Sequence, residues 1–125
     1  MGNALMAPGG GTKFKLLWEN PKPTSSFAAQ TVSVDLSGYD LVAVLHTSNA
    51  AATPSPRALA FTQVGCKGLL NHDYAPVGGY VTSRNFVSKA DSVEFLDGYY
   101  GSGLNTSVSK DNNYSVPIAI YGIRF

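Results

Sequence analysis

The chain has one cysteine, two histidines and few charges, Lys, Arg, Asp and Glu making 14% of its 125 residues. The lone thiol, Cys66, excludes an internal disulfide framework, and the expectation for it is a small buried hydrophobe. His46 and His72 are too few and too far apart in sequence for a metal site built from three or four ligands. Nine basic residues stand against eight acidic ones, net charge +1, and they are scattered, so no stripe forms to track the phosphates of a nucleic acid. No apolar run approaches the roughly 20 residues that cross a bilayer, so membrane insertion is not expected. The opening MGNALMAPGGGT lacks the basic and apolar regions of a signal peptide. Residues 1–12 read as a flexible lead-in, 13–125 as one β-domain, and Met1 as the start of a piece cut from a longer protein.

Helical periodicity is also missing. No stretch of ten residues repeats apolar positions at 3.6-residue spacing. Short alternating runs recur between Gly, Pro, Asn and Ser punctuation, which is the pattern of a sandwich or barrel. Lys13–Glu19 reads as a first strand, stopped by Asn20-Pro21-Lys22-Pro23, whose prolines lack the amide donor a ladder needs. Gln30–Leu36 alternates, with Val32, Val34 and Leu36 on one face and Thr31, Ser33 and Asp35 on the other. Asp35 to Asp40 reads as a tight, hairpin-like corner. Tyr39–Thr47 is apolar on both faces and reads as a central strand.

Arg57–Gly65 and Tyr80–Val87 read as strands, with an irregular excursion over Lys67–Gly79 between them. Ser92–Leu96 is a strand, Asp97–Gly103 a turn, Leu104–Ser109 a short strand and Lys110–Asn113 a turn rich in Asp and Asn. Tyr114–Phe125 is apolar on both faces, so it is either central or covered by a partner. The expected fold is all-β: an antiparallel β-sandwich of jelly-roll type, with an immunoglobulin-like sandwich as the alternative.

No catalytic set emerges. Asp35 and Asp40 fit strand and corner roles better than acid–base work, and Asp91, Glu94 and Asp97 alternate sides on an extended chain. His72-Asp73 is the single His–acid neighbour pair and reads as a loop histidine. Gly9–Lys13 has the wrong order for a phosphate loop. The expectation is therefore no enzyme, no cofactor and no metal. The candidate ligand contacts are His72, Asp73, Tyr74, Tyr80, Tyr99 and Tyr100, because turn-borne tyrosines offer large stacking area with few rotors and a polar tip. Their competing role is packing over the sandwich ends or a subunit seam.

Residues 17–31, LWENPKPTSSFAAQT, followed by Asp35-Leu36-Ser37-Gly38-Tyr39-Asp40 and the closing PIAIYGIRF, resemble a module at the C-terminal ends of tail and fibre structural proteins of tailed bacteriophages and prophages. The likeness covers about residues 16–45 and 112–125; the middle, residues 48–89, lies outside it. It implies a component of the virion, in a tail or capsid fibre, made in the host cytoplasm. It implies a homotrimer among other virion proteins, adhering to a bacterial surface saccharide. The alternatives are an assembly module without a ligand and, less favoured, a glycan-cleaving tail enzyme. The resemblance carries over scaffold roles alone: Trp18 and Phe27 as core anchors, Pro21 and Pro23 as turn formers, Tyr39 as corner packing.

Overall fold

The computed structural model describes residues 13–52, 55–73, 80–102 and 107–125. The described residues form nine strands: β1 (Lys13–Glu19), β2 (Gln30–Ser33), β3 (Leu41–Asn49), β4 (Arg57–Gln63), β5 (Lys67–Asp73), β6 (Tyr80–Lys89), β7 (Ser92–Ser102), β8 (Val108–Lys110) and β9 (Tyr114–Arg124). They make two antiparallel sheets, β1-β9-β3-β4 and β2-β7-β6-β5, with β8 added to β7. The sheets pack face to face as a β-sandwich. The chain alternates sheets from β1 to β2 to β3, and β9 returns between β1 and β3 in the interleaved manner of a jelly roll. The hairpins β3–β4, β5–β6 and β6–β7 are local.

Alternation explains the core. Val32, Val34 and Leu36 are buried while Thr31, Ser33 and Asp35 are exposed. Val34 and Leu36 lie beyond the end of β2, and their amides still donate to the carbonyls of Asp91 and Ala90. Asp35 to Asp40 crosses between the sheets and is therefore a corner rather than a hairpin. The inner faces supply Val42, Val44, Leu70, Phe86, Val93, Phe95, Val116 and Ile120 to one apolar cluster.

The segment between β1 and β2 closes one edge of this cluster. Asn20 is buried, and its side-chain amide donates to the Pro117 carbonyl at 2.8 Å while its Oδ1 accepts from the Lys22 amide at 2.8 Å. This fixes the proline corner. Phe27 then drops into the core, edge-on to Phe95 at 5.5 Å and to Trp18 at 6.1 Å. Trp18 is half-buried, an anchor at the margin rather than the centre. The Tyr39 ring lies over Gly122, where a Cβ would come within 2.6 Å of it, so Tyr39 packs the corner.

Several expectations change. The excursion expected from Lys67 is a regular strand through Asp73, paired with β6 along its length. Within that strand Gly68 serves as a seat for the Phe86 ring, which a Cβ there would meet at 2.2 Å. The turn expected at Asp97–Gly103 is the continuation of β7 at least to Ser102. Gly98 stays in the strand because a Cβ would strike the Tyr114 carbonyl and the Arg84 guanidinium. Residues 104–106 of the expected short strand lie outside the described residues, and β8 carries its remainder. Cys66 is exposed, not buried. Finally, β9 is central in its sheet, flanked by β1 and β3. The expected flexible lead-in, residues 1–12, lies outside the described residues.

Candidate functional site

One end of the sandwich gathers the polar interior. Here β3, β5 and β7 finish while β6 and β9 begin. His46 projects inward from β3 and His72 from β5, across the gap between the sheets. Their rings meet with His46 Nδ1 2.7 Å from His72 Nε2, so the N–H of one donates to the lone pair of the other. His46 is 2% exposed and His72 8%. Burial, then the neighbouring imidazole, pushes the His46 pKa down from 6.5 to about 3. Burial lowers that of His72 as well. Both rings are therefore neutral at pH 7. His72 is thus a buried strand residue, not a loop histidine, and its partner is the distant His46.

The buried hydroxyls that face this pair are paired. Thr82 Oγ1 and Ser115 Oγ bond across the sheets at 2.8 Å, and Ser48 Oγ lies 3.3 Å from the Tyr80 hydroxyl. Ser115 sits at φ 48, a left-handed conformation uncommon outside glycine. It is held there from two sides, because its carbonyl accepts from Arg84 Nε at 2.9 Å. Arg84 is 1% exposed and donates further to Leu96 O at 2.7 Å and Tyr114 O at 3.2 Å. Its guanidinium also stands 5.4 Å from the centre of the Phe27 ring. Burial lowers its pKa from 12.5 to about 10, so it remains a cation held by a cage of carbonyls.

Three tyrosines cover this layer. Tyr100 stacks on Tyr114 at 4.4 Å and 26°, and Tyr80 stands 5.7 Å from Tyr100. All three are half-exposed. Burial, then the neighbouring Tyr100 and Asp111, raises the Tyr114 pKa, so its hydroxyl stays protonated and available as a donor.

The structure thus brings His72, Tyr80 and Tyr100 together. Asp73 and Tyr99 are exposed on the adjoining strands and take no part in the buried layer, and Tyr99 lies on strand rather than turn. Tyr74 lies outside the described residues. His46, Tyr114, Thr82, Ser115 and Arg84 were missed. For Tyr114 the signal was present, since it follows the Asp-Asn turn and opens β9. Among the described residues no group of three or more His, Cys, Asp or Glu could hold a metal ion. The end of the sandwich can stack a flat apolar face and donate or accept hydrogen bonds at its rim.

Comparison of the chain with protein-family models, curated proteins and solved structures gives no match.

Proposed function

We propose that the chain is a non-catalytic adhesion domain of a bacteriophage virion, in a tail or capsid fibre, recognising a bacterial surface saccharide. One observation carries this reading: the Tyr80, Tyr100 and Tyr114 ladder, half-exposed over a buried polar layer that already satisfies itself. Sugar rings present C–H faces that stack on aromatic rings and hydroxyls that bond to their polar tips. Among the described residues the buried imidazoles bond to each other and to no carboxylate, which favours binding over bond cleavage. Support also comes from the likeness of residues 17–31 and the closing strand to phage tail and fibre modules. Binding on an array of bacterial glycans and adsorption to host cells is the expected outcome. Absence of both would end the receptor reading, and release of reducing sugar from host polysaccharide would replace it with hydrolysis.

A second reading, assembly, is favoured by the outer face of the four-stranded sheet. Leu16, Tyr121, Ala43 and Phe61 lie side by side across β1, β9, β3 and β4. Phe14, Leu59 and Phe61 are exposed there. A contiguous apolar face of this kind supports contact with other copies, as in a homotrimer, or with other virion proteins. Light scattering that gives a monomer at high concentration would remove this support.

A further inference from the structure

A cleft apart from the tyrosine ladder lies where the proline corner passes over the end of β3 and the start of β4. Its volume is about 220 Å³, and Pro23, Thr24, Thr47, Asn49, Ser55 and Arg57 contribute to its walls. That is below the roughly 300–1,000 Å³ of pockets for drug-sized ligands, so it suits one small unit.

The walls carry several side-chain donors. Asn49 Oδ1 already accepts from the Ala51 amide at 3.0 Å, leaving its NH₂ to donate. Ser55 Oγ already accepts from the Asn49 amide at 3.0 Å, leaving its hydroxyl hydrogen free. Thr47 is 4% exposed, yet among the described residues no hydrogen bond reaches its hydroxyl. A buried hydroxyl without a partner costs free energy, and most native ones are satisfied. Arg57 is the one charged residue among the described residues that line the cleft, and the guanidinium of this exposed side chain forms no ion pair with them.

We propose that this cleft binds the carboxylate of an acidic sugar, with Arg57 as the bidentate donor and the Thr47 hydroxyl as the buried one. A guanidinium fork matches the two carboxylate oxygens, and the Asn49 amide and the Ser55 and Thr47 hydroxyls can add donors beside it. The proposal rests on the adhesion reading for the class of ligand and adds a second contact to it, for a charged sugar, so it can fail while that reading survives.

The test is a titration of the ¹⁵N-labelled chain with glucuronate, glucose and inorganic phosphate, each alone at low salt. The expected result is saturable shifts at Thr24, Thr47, Asn49 and Arg57 with glucuronate, and none with glucose. Arg57→Gln, at an exposed position, should weaken glucuronate at least about tenfold, and Thr47→Val about fivefold. Thermal midpoints no lower than that of the unsubstituted chain show that both variants fold. Glucuronate shifts confined to Tyr80, Tyr100 and Tyr114, with no effect of Arg57→Gln, would overturn the cleft and keep the adhesion reading. Equal response to phosphate would overturn the carboxylate assignment, and no response to any of the three would overturn the site.

Discussion

The two halves of the sandwich interior differ in chemistry. Toward one end the inner faces present Phe27, Val32, Leu36, Phe86, Val93 and Phe95. Toward the other, β3, β5 and β6 present His46, His72, Thr82 and Arg84 instead. The apolar half gains stability by removing hydrocarbon from water and needs no specific partner. The polar half must match each donor to an acceptor, because an unpaired buried group is costly. It does so through bonds that cross between the sheets. Stability is therefore concentrated in one half, and the other holds a fixed geometry beneath the tyrosines.

The largest expected effect separates the halves. Phe95→Ala should destabilise by about 3–5 kcal/mol in a denaturant titration, since its ring contacts Phe27, Phe86 and Trp18. A cost below about 1 kcal/mol would show that the apolar half is not the main source of stability. Arg84→Met should cost about 2–3 kcal/mol by the same method. The side chain's volume is nearly kept, but the carbonyls of Ser115, Leu96 and Tyr114 lose their donor.

The next prediction concerns acid. The folded chain disfavours protonation of His46 and His72, so the unfolded chain takes up protons first as pH falls below 6.5. Stability should be full above that pH and decline toward pH 3, where His46 itself titrates. The slope is at most about 1.4 kcal/mol per pH unit for each histidine. Midpoints measured from about pH 7 to 5 test this, and replacing both histidines by leucine should flatten that window. A profile that rises on acidification would contradict the sign. The smallest effect belongs to Thr47→Val, expected to be neutral or to stabilise by up to about 1 kcal/mol, because the lost hydroxyl has no partner among the described residues.

Much of the apolar half was legible in the sequence. The alternation of Val32, Val34 and Leu36 needs no tertiary information, and the two-faced Leu41–Leu45 run marks a central strand directly. The limits of β1 follow from the alternation before Asn20-Pro21. The polar half was far less legible. The expected excursion over Lys67–Gly79 and turn at Asp97–Gly103 contain Gly68 and Gly98, which sit within strands where Phe86 and Arg84 approach too closely for a Cβ. That misreading placed His72 and Tyr100 on loops. The His46–His72 contact spans 26 positions and depends on how the two sheets pack, which no local pattern encodes. Arg84 gave no signal, because a buried guanidinium paired with carbonyls looks in sequence like any strand cation.

If the tyrosine-covered end performs recognition as proposed, loss of a ring there should cost binding more than stability. This is tested most directly by Tyr100→Ala, with binding to host cells and the denaturation midpoint measured on the same preparation. The account predicts loss of cell binding with a stability cost of about 1–2 kcal/mol. Wild-type binding by a folded Tyr100→Ala variant would contradict it.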